Sequence, residues 1–506
     1  MRRSKKQFIH WMGDPSVYPP ILITAAALVV YLTASYFSSG YHHPDEHYQI
    51  IQFANFKRGL LPRSELPWEF AAKIRSGFQP LICYIIFSTL GAAGINNPFV
   101  MAFSLRLLTA LLSIIAIREL LKSADLLLAK NHKYALYIFC HLCWFLPYIN
   151  VRFSSESWAG IFFIFAYALA TRRTVTDNAL SFRIGIFLGI SVLCRYQCGF
   201  LALGLFSWMY FVKKVRLKAV IIGFSALIGI LLVGVLIDKW CYGVYTVSIY
   251  NYFNANILMD IASKYGTSPW YTIIGYIVFA PGWPLGIILL SAYLFLLITR
   301  PQSPIIWATL PFLLIHMVIP HKELRFLFPL ANLCPILFFS ALSGVTDRRM
   351  VGALKYLAWP LIIFNFILMF RVVTRSTRNG ETMIAQYLYQ HYRDRKVNLL
   401  TSFETDPYDP FMNYAHNFYR PGNIIVNRIT SIWQPDFSSK LLDGSINLLI
   451  LPGSETIGIR TKEKLKAMHA SALVGQGNIP WQLFSAAYDP LHEGDALKLF
   501  VIGESH

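Results

Sequence analysis

Long apolar runs separated by short polar turns fill the first three quarters of the chain. They fall near residues 20–38, 100–121, 134–150, 156–171, 182–195, 199–212, 219–237, 277–299, 304–319, 326–345 and 354–371. Most approach the roughly 17–25 residues that carry a helix across a hydrocarbon core. The two between Arg183 and Lys213 are near the lower limit and turn around Arg195. The pattern predicts a mostly α, polytopic membrane protein, a bundle of about eleven transmembrane helices joined by loops. From about Arg375 the pattern changes. Glu381–Lys396 reads as an amphipathic helix, and Val397–Ser402, Asn423–Val426, Ile446–Leu451 and Leu497–Ile502 read as short strands. Two parts are expected: a membrane module over 1–374 and a small mixed α/β domain over 375–506.

Composition supports the membrane reading. Of 506 residues 55% are hydrophobic and only 14% charged, against about 25% in a soluble chain. The net charge of +19 comes from basic residues clustered in short loops, as cytoplasmic loops facing anionic headgroups require. They form no single stripe, so nucleic acid is not an expected partner. Seven cysteines, Cys83, Cys140, Cys143, Cys194, Cys198, Cys241 and Cys334, lie mostly in apolar runs and complete no zinc set, which predicts buried thiols. The first run lacks a small-residue cleavage site, so no cleavable signal peptide is expected.

The loop charges also predict a topology. With Arg2, Arg3, Lys5 and Lys6 cytoplasmic, the clusters at Arg172-Arg173, Lys213–Arg216, Arg300 and Arg348-Arg349 all fall on the same side, provided that Pro80–Gly94 dips into the outer face instead of crossing. The other face then carries Tyr41–Gln49, Leu60–Gln79, Arg152–Glu156, Arg195, Asp238–Trp270, His321–Arg325 and everything after Arg375.

Those stretches hold the candidate chemistry. Asp45 and Glu46, in His43-Pro44-Asp45-Glu46, form an adjacent acidic pair at the mouth of the first span; one carboxylate beside a sugar hydroxyl suits a general base, although a solvated polar loop has the same composition. His42, His43 and His47 lack the spacing of a zinc motif, and no metal or other cofactor is expected. Trp68-Glu69-Phe70 and Arg75 fit headgroup anchoring as well as sugar stacking. His321-Lys322-Glu323-Leu324-Arg325 places three basic groups at a membrane mouth, suited to a lipid phosphate or to internal pairing with Glu323. Arg152 and Arg195 end spans on the same face and fit either a phosphate contact or snorkelling. Tyr265 and Trp270 stand in an amide- and aromatic-rich loop suited to carbohydrate or lipid headgroups.

In order, these motifs resemble the family 22 glycosyltransferases of the C-type membrane superfamily (GT-C) over most of residues 41–330. The carrying residues are His43–Glu46; Trp68-Glu69-Phe70 with Arg75-Ser76 and Pro80; Asp238, Tyr242-Gly243, Asn251 and Tyr265–Trp270; and His321-Lys322-Glu323 with Arg325-Phe326. The resemblance implies a GT-C-type bundle with outer-face loops. It further implies an inverting transfer of mannose, or a related hexose, from a polyprenyl- or dolichyl-phosphate sugar to a lipid-linked glycan acceptor, without nucleotide sugar or metal. Asp45 becomes the favoured base with Glu46 in support. His321, Lys322, Arg325, Arg195 and Arg152 become donor-phosphate candidates, and His43, Trp68, Arg75, Tyr265 and Trp270 substrate contacts. After Arg152 the family shows Thr-Asn and a Glu three residues on; here Phe153–Ala159 has neither that Asn nor that Glu, which leaves the acceptor open. A transporter or flippase of a lipid-linked saccharide is the alternative, and an endoplasmic reticulum or bacterial inner membrane both fit.

Overall fold

The structure is a computed structural model and describes residues 18–124, 133–172, 177–345, 348–377, 380–408, 417–475 and 497–503. The expected cytoplasmic cluster at Arg2–Lys6 and residue Arg173 lie outside them. The chain divides into two compact units. The first comprises residues 1–35, 68–85 and 105–373, and the second 36–67, 86–104 and 374–506.

The first unit draws on helices α1 (Tyr18–Phe37), α2 (Phe78–Ala92), α3 (Pro98–Ala124), α4 (Lys133–Leu142), α5 (Ser155–Thr171), α6 (Asn178–Cys194), α7 (Gly199–Phe211), α8 (Leu217–Tyr242), α9 (Thr272–Phe279), α10 (Trp283–Thr299), α11 (Pro304–Val318), α12 (Cys334–Leu342) and α13 (Arg348–Thr374). Among the described residues, four helical stretches are long and apolar enough to cross a membrane: Pro20–Phe37, α3, α8 and Leu324–Leu342; α9 and α10 make a fifth if counted as one bent span. Apart from the run over 354–371, which lies within the 27-residue α13, the other expected runs form shorter or broken helices, so apolar length alone does not deliver eleven.

The breaks have local causes. The run expected over 277–299 is bent by 120° between α9 and α10. Pro281 lacks an N–H there, and Gly282 takes φ 87°, a left-handed conformation that a side chain would resist. The run over 134–150 is interrupted at Cys143-Trp144. Asn365 bridges the interruption, accepting from the Trp144 N–H (2.8 Å) and donating to the Leu142 carbonyl (2.8 Å). The run expected from 326 starts as a 3-10 helix, Leu324–Leu333, which contains Pro329 and precedes α12. The helix α2 has 15 residues, about 22 Å, less than a hydrocarbon core of about 30 Å.

Close backbone contact holds the bundle. A Cβ on Gly185 of α6 would lie 1.9 Å from the Gly223 carbonyl oxygen of α8, and one on Gly204 of α7 would lie 2.1 Å from the Trp307 carbonyl oxygen of α11. Small residues permit such approach where lipid gives helices no hydrophobic incentive to associate. A buried amide pair adds direction: Asn150 and Asn332 exchange Nδ2–Oδ1 bonds of 2.9 and 2.8 Å, and the Asn150 amide also donates to the Tyr31 hydroxyl. Buried amides satisfied in this way fix one packing over its alternatives.

The second unit contains a five-stranded mixed sheet of order β2-β1-β3-β5-β4, from β1 (Val397–Thr401), β2 (Ile424–Arg428), β3 (Ile446–Pro452), β4 (Ser471–Gly475) and β5 (Leu497–Ile502). β1 pairs in parallel with β2 and β3, and β5 runs antiparallel to β3 and β4. One face packs on α14 (Glu381–Tyr392) through Ile384, Leu388, Leu399 and Leu448. The other carries Leu400, Leu449, Ile432 and Leu465, the last from α15 (Ile459–Ala467). Covering both faces is what parallel strands require.

Candidate active site

The first-loop motif belongs to the second unit. Pro44 opens a helical stretch: its carbonyl accepts the N–H groups of both His47 and Tyr48 at 2.9 Å. The stretch continues as a π-helical turn, His47–Ile51, whose five residues are all buried. Such wide turns recur at functional positions because they displace side chains from the regular register. Upstream of that turn, the acidic pair is tied to its own loop. Glu46 accepts the His42 N–H at 3.1 Å, and His43 Nδ1 accepts the Asp45 N–H at 3.2 Å while lying 3.5 Å from the Asp45 carboxylate. The Asp45 side chain stays 20% exposed.

The basic motif belongs to the first unit. Arg195 ends α6 in an extended conformation, and Arg325 lies in the first turn of the Leu324–Leu333 helix. Their Nη1 atoms converge on one oxygen of Glu156, at 2.9 and 3.3 Å. All three residues are buried. Glu156 is placed by the start of α5, where Ser154 caps the helix by accepting the Ser157 N–H (3.1 Å) and where a helix N-terminus favours an anion. Phe326 lies against both guanidinium groups, its ring centre 4.6 Å from Arg195 and 5.7 Å from Arg325.

Glu323 extends the network. Its carboxylate pairs with Arg325 and receives His321 Nε2 at 2.8 Å, while His321 Nδ1 faces the Gly266 carbonyl oxygen at 3.0 Å. Both ring nitrogens meet acceptors, which suits the doubly protonated imidazolium. The hydrogen bond to Glu323 accordingly raises the His321 pKa above its usual value. Lys322 points elsewhere: its ammonium donates to the carbonyls of Ser268 (2.9 Å), Ile319 (2.6 Å) and Pro320 (3.4 Å). It therefore fastens the 266–270 loop to the end of α11, and burial pulls its pKa down. Two guanidinium groups, Arg195 and Arg325, thus meet two carboxylates, Glu156 and Glu323, with the His321 ring bonded to the second.

The remaining candidates divide. Tyr265 joins the network through a ring contact of 6.2 Å with His321. Trp270 is 60% exposed and meets the Tyr271 ring edge-on, with ring centres 5.9 Å apart. Arg152 is fully buried with its guanidinium 4.7 Å from the Tyr148 ring. Arg75 lies 5.6 Å from the Tyr252 ring, which contacts Tyr196 and receives Gln197 Nε2, the residues after Arg195. Trp68 is half-buried on a five-residue helix. Sequence reasoning missed Glu156 as the shared partner of two arginines; its signal is a Glu in the first turn of a helix otherwise apolar. It also read Asp238, Tyr242 and Asn251 only as motif. They converge on the 73–77 backbone: Asp238 accepts the Gly77 N–H (2.8 Å), the Tyr242 hydroxyl donates to the Arg75 carbonyl (2.5 Å), and the Asn251 amide to that of Lys73 (3.1 Å). Among the described residues, no three His, Cys, Asp or Glu side chains group as metal ligands do.

The sequence profile of the Alg9-like mannosyltransferase family matches residues 22–406. Mannosyltransferase APTG1 of Arabidopsis thaliana is 25% identical over 63% of this chain and 60% of its own length. GPI mannosyltransferase 3 of Candida albicans is 26% identical over 69% of this chain and 74% of its own. Thus the chain spans about three fifths of the first relative. The crystal structure of ArnT from Cupriavidus metallidurans in the apo state superposes with TM-score 0.50 at 12% identity, covering 97% of this chain and all of that one, which is a likeness of fold.

Proposed function

The chain belongs to the Alg9-like mannosyltransferase family, and from that premise we propose that it transfers mannose, or a related hexose, from a polyprenyl- or dolichyl-phosphate sugar to a lipid-linked glycan. In this reading the transfer inverts the anomeric carbon. Asp45 takes the proton from an acceptor hydroxyl, whose oxygen attacks C1 of the sugar. The C1–O bond to the lipid phosphate breaks, and the phosphate leaves with the bonding pair. Glu46 and His43 hold the loop that presents Asp45. Arg195 and Arg325 neutralise the leaving phosphate, since guanidinium forks match phosphate oxygens. His321 adds charge, Arg152 backs the same set, and Lys322 acts by holding the loop that carries Tyr265 and Trp270. Trp68 and Arg75 contact the sugars. The reaction would take place on the extracytoplasmic face.

The observation that carries the reading is the convergence of two buried guanidinium groups on Glu156 beside the His321–Glu323 pair. Buried charge at membrane depth is costly and is kept where it meets a charged substrate. A flippase of lipid-linked saccharides would need similar charge, but the family match does not favour it. The test is transfer of labelled mannose from lipid-phosphate mannose in membranes containing Asp45→Asn. We expect a rate loss of about a hundredfold or more for a general base. Undiminished transfer by folded D45N would remove Asp45 from the role.

A further inference from the structure

The loop that carries Asp45 is gripped at both ends by residues of the 374–506 segment, all within the second unit. At its start, the Ser39 carbonyl accepts both the Thr377 N–H (3.0 Å) and the Thr377 hydroxyl (2.7 Å). The next residue, Gly40, takes φ 87°, and a Cβ there would come within 2.9 Å of the Thr377 and Thr382 hydroxyl oxygens. A side chain would be strained in that left-handed position and would also collide with both threonines. Ser39, Thr377 and Thr382 are all buried.

At the other end stands His47, two residues past Asp45, with its backbone N–H on the Pro44 carbonyl. Its buried ring sits among four others. Tyr41 and Tyr48 come from the same loop, with ring centres 6.4 and 5.2 Å away; Phe418 and Tyr419 lie at 6.0 and 6.1 Å. Rings at these separations attract one another. Phe418 and Tyr419 belong to a 3-10 turn, Asn417–Tyr419, that is itself braced. Phe418 stacks on Phe87 at 5.5 Å with the rings nearly parallel, and Tyr419 stacks on Phe99 at 4.7 Å. The Asn417 amide donates to Glu65 (3.1 Å). Tyr419 also joins the core on one face of the sheet, with Leu399, Leu448 and Val501. The His47 ring is therefore fixed by a packed sheet, and the two residues between Pro44 and His47 have little slack to move independently of it.

We propose that Phe418 and Tyr419 at one end, and Thr377 at the other, are positioning residues for Asp45. They act through His47 and Ser39, and they hold the loop where the carboxylate reaches the acceptor hydroxyl. The sheet-bearing unit thus takes part in turnover instead of only covering the site. This role rests on Asp45 being the base. A displacement of about 1 Å in a reacting group can cost about a hundredfold in rate, so even a modest slackening should show in kcat.

The test uses the full chain and joins steady-state transfer of labelled mannose from lipid-phosphate mannose to amide hydrogen exchange. Phe418→Leu removes the ring and Thr377→Val the hydroxyl, and each keeps most of the side-chain volume. Phe418→Leu should lower kcat about tenfold or more, and Thr377→Val about threefold, with donor KM held within about twofold. Residues 41–49 should exchange faster in both while β3 and β5 keep their protection. Phe418→Tyr, which keeps the ring, should restore kcat. In an Asp45→Asn background the same changes should cost less than about twofold more, because the group they position is gone. Wild-type kcat in both variants would overturn the positioning role and leave Asp45 as the base wherever Asp45→Asn alone is inactive. Equal loss of protection in β3, β5 and 41–49 would overturn it too, since these residues would then hold the sheet and not the loop. A full further loss in the Asp45→Asn background would place their action elsewhere and have the same force. Undiminished transfer by Asp45→Asn would instead remove the base itself, and the positioning role with it.

Discussion

Glu156 holds Arg195 in a buried ion pair, Oε1 to Nη1 2.9 Å, with side chains only 3% and 5% exposed. The same oxygen meets Arg325. Glu156→Gln would leave two guanidinium groups facing each other with one carboxylate fewer. Breaking a buried pair costs about 3–5 kcal/mol. The expected result is a clear drop in thermal stability in detergent that changes little with salt, because buried charges are screened far less than exposed ones. A variant as stable as wild type would mean that Glu156 is not what organises these arginines.

Glu323 makes His321 a pH-sensitive part of that network. Its hydrogen bond raises the His321 pKa. A histidine with a raised pKa in the folded state stabilises most below its unfolded value of about 6.5, and the gain fades as pH rises through the folded value. Glu323→Gln should move the His321 titration down, read from imidazole resonances. The same change should flatten the fall in thermal stability above about pH 6.5. An unmoved titration would show that Gly266 alone sets the protonation of His321.

Gly185 and Gly229 make a paired test of the packing. A Cβ at Gly185 would meet the Gly223 carbonyl oxygen at 1.9 Å, whereas nothing lies within 4 Å of one at Gly229. Gly185→Ala should therefore part α6 from α8 and cost about 3 kcal/mol. Gly229→Ala should be neutral or stabilising by up to about 1 kcal/mol from helix propensity. Equal thermal midpoints for the two variants would contradict the close crossing.

Much of this was legible in sequence, for reasons that also mark its limits. Strands near 397–401 and 446–452 follow from β-rich runs bounded by turns, and the helix from Glu381 from its apolar period. The helix ends at Tyr392, short of the expected Lys396, and β4 escaped notice because Ser471–Gly475 carries few β-branched residues. Spans were harder. Hydropathy averages over Pro281-Gly282 and Cys143-Trp144, where the backbone breaks, so runs read as continuous become pairs of helices. In the site, residue type pointed to Arg195 and Arg325, but their shared partner depends on a contact across more than a hundred residues, which no local pattern reports.

Lys322 allows a loop-fastening role to be separated from direct phosphate contact. Its three N–H groups are committed to carbonyls of Ser268, Ile319 and Pro320, and the Ser268 N–H returns a bond to Pro320 (2.9 Å). Lys322→Met keeps the aliphatic stem and takes the ammonium from the Ser268 and Ile319 carbonyls, while Pro320 keeps the Ser268 N–H, at a cost of about 1–3 kcal/mol. If fastening is its role, limited proteolysis should cut faster within Tyr265–Trp270, and the loss of transfer should be the same for donors of different phosphate charge. If Lys322 instead meets the phosphate, the loop should stay protected while donor KM rises, with the increase shrinking at high salt as the lost ion pair is screened. The geometry favours the first outcome, because an ammonium with three carbonyl partners must give up one of them before it can reach an anion.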